Sequence, residues 1–245
     1  MAERPAPVSV GFDEPLPATW ALVGVLVLVH LLTGYAWWHA GNTHGFGAWL
    51  GGRGVRFRVA VGGQYRPLVA SGQDWRLLTS VLLHGGALHL AVNAVALLAL
   101  GRLVEPWVGS RRFLAWFLLG GAAGSVASQL AQVSRSDGAS GGAFALLGAA
   151  LVLGWRVRAR LDDEDRRLLG PVLAAFLVLN VVLSFALPFI DAAGHLGGLA
   201  AGLGLAAFVR VDGVPPWRGG RVASVAEWML VGGYLAVCAW GWSSL

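Results

Sequence analysis

The chain has 245 residues, of which 56% are hydrophobic and only 13% are charged. A soluble domain carries about 25% charged residues, so this composition excludes an ordinary soluble domain and indicates a chain that lies in a lipid bilayer. All 18 basic residues are arginines, and the formal net charge is +5. These arginines are spread over short loops instead of forming the basic face that nucleic-acid binding needs, so no nucleic-acid partner is predicted.

The sequence also argues against metal chemistry. Cys238 is the only cysteine, which excludes an intramolecular disulfide and a multi-cysteine zinc site. The chain contains no H-E-x-x-H sequence, the pattern of one class of zinc protease. We therefore expect neither a metal nor another cofactor.

Seven apolar stretches are long enough, or nearly so, to cross about 30 Å of hydrocarbon as helices. They cover approximately residues 18–38, 81–101, 113–133, 140–157, 171–190, 192–210 and 224–243. The sequence therefore predicts an all-α polytopic membrane protein with seven transmembrane spans.

Three segments lie outside these spans. The first 17 residues form a short tail without the basic start and cleavage site of a signal peptide. Residues 39–80 are the one long connection, and its apolar side chains (Phe46 and Trp49 among them) favour a segment that is partly embedded in the membrane. Residues 211–223 are predicted to be a linker before the last span.

The arginine distribution predicts the orientation. With the N-terminus in the cytoplasm, twelve of the 18 arginines fall in cytoplasmic segments, and five of the other six fall in the 39–80 connection. Because cytoplasmic loops carry an excess of basic residues, we expect a cytoplasmic N-terminus and an external C-terminus. The bias toward Gly, Ala, Val, Leu and Arg is typical of a GC-rich bacterial genome, so the expected location is a bacterial plasma membrane.

In this orientation the second, fourth and sixth spans all begin at the outer face, and each begins with polar side chains. The second span opens with His84 and His89, the fourth with Ser140, and the sixth with His195. Ionisable groups at membrane depth are costly and are therefore functional candidates. A serine becomes a good nucleophile when a base takes its proton, and histidine is the usual base. Ser140 and His195 are the predicted catalytic pair.

A hydrolytic site also needs hydrogen-bond donors for the developing oxyanion. His89 and Asn93 are four residues apart and share one helix face. The backbone N–H groups near Ser140 and Gly141, at the start of the fourth span, are unpaired and carry the positive end of the helix dipole. These groups are the predicted oxyanion donors, and Phe144, one turn after Ser140, is expected to stack on His195.

Each feature taken alone has a simpler explanation. A serine among glycines in a membrane helix more often serves packing than catalysis. The G-x-S-x-G pattern of residues 138–142 requires a preceding strand and a soluble α/β sheet, and neither is predicted here. Asp191 is expected to cap the sixth span instead of acting as a triad acid.

Together these residues resemble the rhomboid family of intramembrane serine proteases. The resemblance covers roughly residues 75–205, and its motifs occur in the family's order. They are Trp75-Arg76, His84-x4-His89-x3-Asn93, Gly101 and Glu105, Gly138-Ala139-Ser140-Gly141, and His195 followed by Gly198 and Gly202.

The resemblance implies a six-helix catalytic core over residues 18–210, followed by one C-terminal transmembrane helix over 224–245. It implies that Ser140 is the nucleophile, that His195 is the general base, and that His89, Asn93 and the backbone near Gly141 form the oxyanion hole. His84, Trp75, Arg76 and Glu105 would be mainly structural. Phe144 departs from the family, where a tyrosine is common at this position.

The implied substrates are transmembrane proteins within the lipid bilayer, and the implied substrate access lies between the second and fifth spans. Two other functions stay open at this point. A catalytically silent relative would bind membrane clients without cleaving them. A transporter would also place polar groups in the membrane, but along a path through both leaflets. The sequence does not define the oligomeric state.

Overall fold

The computed structural model of the chain describes residues 15–41, 52–209 and 221–245. Most of the predicted N-terminal tail, the Phe46 and Trp49 region of the long connection and most of the 211–223 linker lie outside the described residues. The helices in chain order are α1 (Pro17–His39), α2 (Val55–Ala60), α3 (Arg66–Ala70), α4 (Arg76–Thr79), α5 (Ala87–Val108), α6 (Ser110–Leu130), α7 (Ser140–Val157), α8 (Asp163–Arg167), α9 (Leu173–Ala186), α10 (Ala192–Ala207) and α11 (Arg221–Ser243).

The architecture is that of an all-α polytopic membrane protein, as the sequence predicts. Five stretches of the described residues are long and apolar enough to cross a membrane: α1, α5, α6, α7 and the continuous segment Asp163–Ala186. In that segment a π-helical turn, Leu168–Val172, joins α8 to α9. The helix α10 is apolar but shorter, with 16 residues.

The centre of the fold is the mutual packing of α6, α7 and α10. A Cβ atom added at Gly198 would overlap the carbonyl oxygen of Gly141, and one at Gly202 would overlap that of Ala145. Small residues of this kind allow membrane helices to approach backbone to backbone. In the most apolar 18-residue stretch of α7, 67% of the residues are buried, whereas the share is 17% in the corresponding stretch of Asp163–Ala186. Thus α7 is central and α9 is peripheral.

The second span begins later than the apolar pattern predicts. Residues 80–82 form a 3-10 turn, and Gly86 is extended with φ −167° and ψ 173° before α5 begins at Ala87. His84 therefore precedes the helix instead of lying on it. The helix runs to Val108, and Gly109, with φ 79°, turns the chain directly into α6, a conformation that glycine adopts without steric cost.

The helix α11 packs on the core, against α6 and the α4 region. The hydroxyl of Tyr234 donates to the carbonyl oxygen of Leu78 at 2.8 Å, and the Trp242 indole donates to the carbonyl oxygen of Val61 at 3.0 Å. Gly241 lies against the Trp75 ring, which a Cβ there would approach to 2.5 Å. The helix α11, which is the seventh predicted span, therefore supports the connection between α1 and α5.

Glu105 joins α1 to α5 by capping the start of α1 from the neighbouring helix. Its buried carboxylate accepts hydrogen bonds from the backbone N–H groups of Ala18 (2.9 Å) and Thr19 (2.8 Å) and from the hydroxyls of Thr19 (2.6 Å) and Ser110 (2.7 Å). No residue of α1 caps these N–H groups through its own side chain. The carboxylate thus satisfies donors that are otherwise orphaned at a helix N-terminus.

Replacing Glu105 with alanine is expected to lower the free energy of unfolding by about 3–5 kcal/mol, because buried donors lose their charged acceptor. Glu105→Gln keeps one acceptor oxygen, so its free energy of unfolding should lie between those of Glu105→Ala and wild type. Thermal unfolding in detergent micelles measures both changes. Glu164→Ala is the matched control, since Glu164 is exposed and surface substitutions change stability by about 0.5 kcal/mol or less. Equal unfolding midpoints for Glu105→Ala and wild type would contradict the capping role.

Candidate active site

The segment before Ser140 is held from three sides by the connection between α1 and α5. The Arg58 guanidinium bonds both oxygens of Asp137, at 2.6 and 2.5 Å. Strand β1 (Gln64–Tyr65) pairs antiparallel with strand β2 (Arg135–Ser136). The N–H of Gly138 donates to the carbonyl oxygen of Ser80 at 3.0 Å. These contacts fix the path of the chain immediately before the candidate nucleophile.

Gly138 also allows the His89 ring to pack against this segment. Its φ is 130°, and a Cβ there would lie 2.8 Å from Cε1 of the His89 ring. Both the backbone conformation and the packing therefore require glycine at this position. As a result His89, on the first turn of α5, lies directly beside the residues that lead into Ser140.

Ser140 is the first residue of α7, and Ala139 is its N-cap. The N–H groups of Ser140, Gly141 and Gly142 are therefore at a helix N-terminus, where backbone donors are free and the dipole is positive. Gly142 lies against the Phe117 ring, which a Cβ would approach to 2.5 Å. This start of α7 provides an anion-stabilising end at Ser140, a residue of intermediate exposure.

His195 lies on the first turn of α10, on the side that faces α7. Its ring stacks on Phe144 with a centroid separation of 4.1 Å and an interplanar angle of 17°, which confirms the predicted stacking. Ser140 and Phe144 are four residues apart on one face of α7, so the imidazole lies on the same side as the serine. Gly198 and Gly141, which follow His195 and Ser140, bring the two helices into backbone contact, since a Cβ at Gly198 would overlap the carbonyl oxygen of Gly141.

The resting pair is not joined by a hydrogen bond: Ser140 Oγ bonds no other described residue. Catalytic hydrogen bonds are often long in structures without substrate and shorten when substrate binds. Asn93 donates to the carbonyl oxygen of His89 on its own helix at 2.9 Å. One N–H of the Asn93 amide is thus engaged and a second one remains.

His84 contacts the backbone of Ala139, immediately before Ser140, and the ring of His89. Its Nε2 lies 3.5 Å from the N–H of Ala139, and its ring meets that of His89 edge to face with centroids 5.1 Å apart. Burial, followed by the charges of His89 and His30, lowers the pKa of His84 to about 3. The imidazole is therefore neutral at physiological pH and can accept from the Ala139 N–H.

Asp191 caps α10, as predicted. One carboxylate oxygen accepts from the N–H of Gly194 at 2.9 Å, and the other accepts from the Ser128 hydroxyl. The cap fixes the start of the helix that carries His195. Neither carboxylate oxygen is hydrogen-bonded to the His195 ring in the described structure, so the geometry supports a capping role for Asp191 and not that of a triad acid.

The partner of His195 is a residue that the sequence motifs do not indicate. Ser184, on α9, places its Oγ 2.6 Å from His195 Nδ1. Ser184 lies within the strongly apolar stretch 173–186 and is buried, with 4% of its surface exposed. Its polarity at membrane depth was the available signal, but its pairing depends on how α9 packs against α10.

The fold and the site together define a polytopic helical membrane protein with a serine and a histidine at one end of two closely packed helices. The rhomboid domain model matches residues 71–211, which is more than half of the chain and includes all of these side chains. The chain belongs to the rhomboid family, as its motifs predict.

Relatives occur in bacteria, plants and protozoa. Rhomboid protease GluP of Bacillus subtilis (strain 168) is 40% identical over 149 residues, which are 61% of this chain and 29% of that protein. RHOMBOID-like protein 5 of Arabidopsis thaliana is 37% identical over 148 residues, 58% of this chain and 46% of that protein. Rhomboid-like protease 3 of Toxoplasma gondii is 31% identical over 165 residues, 66% of this chain and 62% of that protein. In each case the match spans less than two thirds of the relative.

Proposed function

We propose that the chain is an intramembrane serine endopeptidase that hydrolyses peptide bonds in or near the outer part of substrate transmembrane helices. The observation that carries this proposal is the arrangement of Ser140 and His195, on facing sides of two helices that are in backbone contact at Gly141 and Gly198. The proposal is supported by relatives that are named proteases in a bacterium and a protozoan.

In the proposed reaction, Ser140 Oγ attacks the scissile carbonyl carbon while its proton passes to Nε2 of His195. The C–N bond of the tetrahedral intermediate then breaks, and the imidazolium donates the proton to the leaving amine. This leaves an ester between the substrate and Ser140. Water, deprotonated by His195, attacks the ester and releases the carboxylic acid and the free serine.

The oxyanion of the tetrahedral intermediate would be stabilised by the backbone N–H groups of Ser140 and Gly141. The side chains of His89 and Asn93 are the other proposed donors, and Asn93 would use its second amide N–H. A single donor of this kind is worth about 3–4 kcal/mol in a known case. The neighbouring glycines 138, 141 and 142 leave room for the backbone of a substrate.

The distribution of arginines supports a cytoplasmic N-terminus and an external C-terminus. This orientation would place Ser140 and His195 on the outer side of a bacterial plasma membrane. A peptide bond in a helix is shielded by its own hydrogen bonds. Substrates are therefore proposed to contain helix-weakening residues, with small side chains beside the scissile bond. No metal or cofactor takes part in this proposal.

The test is an assay in proteoliposomes with a model transmembrane substrate, combined with labelling by a fluorophosphonate that reacts with activated serines. The expected result is cleavage within or near the substrate's membrane helix, located by the masses of the products, and labelling on Ser140. A protein that binds the substrate without cleaving it and is not labelled would instead be a client-binding member of the family.

A further inference from the structure

Ser184 lies near the C-terminal end of α9 and contacts Nδ1 of His195, whereas the proposed base is the other ring nitrogen, Nε2. A neutral imidazole carries one proton, either on Nδ1 or on Nε2, and only the unprotonated nitrogen can act as a general base. The proposed mechanism uses Nε2. What Nδ1 contacts therefore decides whether His195 is ready to act, and that contact is Ser184 Oγ at 2.6 Å.

The direction of this hydrogen bond follows from counting protons. Ser184 Oγ also lies 2.7 Å from the carbonyl oxygen of Asn180, and a carbonyl oxygen only accepts. When the single hydroxyl proton of Ser184 is donated to Asn180, the hydroxyl oxygen accepts from Nδ1. Both short contacts are satisfied when the proton of the neutral imidazole is on Nδ1 and Nε2 is free.

In serine proteases with a triad, a carboxylate holds the histidine in this tautomer. The nearby carboxylate in this chain, Asp191, is used by Gly194 and Ser128. The serine hydroxyl of α9 takes the equivalent place at Nδ1. With its own proton donated to the backbone, the buried Ser184 hydroxyl presents a lone pair to Nδ1.

We propose that Ser184 is a positioning residue that holds His195 in the Nδ1–H tautomer, with Nε2 available as the base. This inference rests on the proposed function. Since the acceptor comes from α9 and the histidine from α10, the readiness of the base depends on the packing of these two helices. Phe144 fixes the plane of the ring, and Ser184 fixes which nitrogen carries the proton.

The kinetic test compares wild type, Ser184→Ala and Ser184→Thr on a transmembrane substrate in proteoliposomes. Ser184→Ala is expected to lower kcat about 10- to 100-fold, the range for a buried donor left without its acceptor. KM should stay within about twofold, because Ser184 does not contact the substrate. Ser184→Thr keeps the hydroxyl and is expected to retain most of the activity.

The matched control is Ser243→Ala. Among the described residues its hydroxyl bonds only the backbone of its own helix, at Trp240, so kcat and KM should equal those of wild type. A purely structural role for Ser184 would lower the thermal unfolding midpoint without the selective loss of kcat. Unchanged kcat in Ser184→Ala would overturn the inference.

A second measurement does not depend on catalysis. Solid-state 15N NMR of histidine-labelled protein, with the His195 signals assigned by their loss in His195→Ala, reports which nitrogen carries the proton. We expect Nδ1–H in wild type and in Ser184→Thr, and a mixture of tautomers in Ser184→Ala. An Nε2–H tautomer in wild type would overturn the inference even in an active enzyme, whereas a wild type that fails to cleave would overturn the proposed function alone.

Discussion

Replacing Ser140 or His195 with alanine is expected to abolish cleavage, with losses of at least about 10⁴-fold in kcat. In the proposed mechanism Ser140 supplies the atom that forms the covalent intermediate, and His195 carries out both proton transfers. Catalytic residues that act as one unit show strongly non-additive losses. The double variant Ser140→Ala with His195→Ala should therefore be no slower than either single variant. Initial cleavage rates in proteoliposomes, normalised to folded protein, measure all three.

Matched controls separate catalysis from general damage. Ser71→Ala removes the hydroxyl of an exposed residue whose one hydrogen bond within the described part of the chain is to the carbonyl oxygen of Leu68. His39→Ala removes an exposed histidine at the end of α1. Both should cleave at wild-type rates. Cleavage that persists in Ser140→Ala would exclude the proposed mechanism. If the protein were a transporter, the Ser140→Ala variant would still transport its solute across the membrane. Solute transport can be measured in the same proteoliposomes.

Adding one methyl group at Gly198 is expected to reduce both activity and stability strongly. The new Cβ would overlap the carbonyl oxygen of Gly141, so α10 has to move away from α7. Overpacking of this kind costs about 1–3 kcal/mol. The same movement separates His195 from Ser140, and a displacement of about 1 Å can cost about 10²-fold in rate. Gly198→Ala should therefore lose activity even under conditions where it stays folded.

Gly204 provides the control on the same helix. A Cβ there meets nothing within 4 Å, and alanine is more favourable than glycine inside a helix by about 0.5–1 kcal/mol. Gly204→Ala should be fully active and slightly more stable than wild type. Equal activity of Gly198→Ala and Gly204→Ala, compared at matched fractions of folded protein, would show that the α7–α10 contact does not position the pair.

The local sequence was sufficient for the features that depend on one segment at a time. Hydrophobic length predicted the α-helical membrane class, since a span needs an apolar run whatever its neighbours are. The capping by Asp191 and the facing of Ser140 and Phe144 follow from helix geometry, which is local as well. The ordered motifs from Trp75 to Gly202 predicted the family, and the rhomboid domain match confirms it.

Features that depend on several segments were decided only by the tertiary structure. Apolar content continues from Val81 into the second span, so hydropathy alone does not reveal that Gly85 and Gly86 interrupt the helix and that α5 begins at Ala87. The packing of α11 depends on Tyr234 and Trp242 meeting carbonyl oxygens more than 150 residues away in the chain.

The sequence by itself determined the membrane class, the family and the candidate pair Ser140 and His195, because these depend on composition, helix length and motif spacing. The tertiary structure alone decided which group faces the other side of the histidine. Ser184 has no motif around it and no periodic signal within its apolar helix. Its proposed role depends on the packing of α9 beside α10, which places one hydroxyl 2.6 Å from Nδ1, a contact between elements that no local pattern encodes.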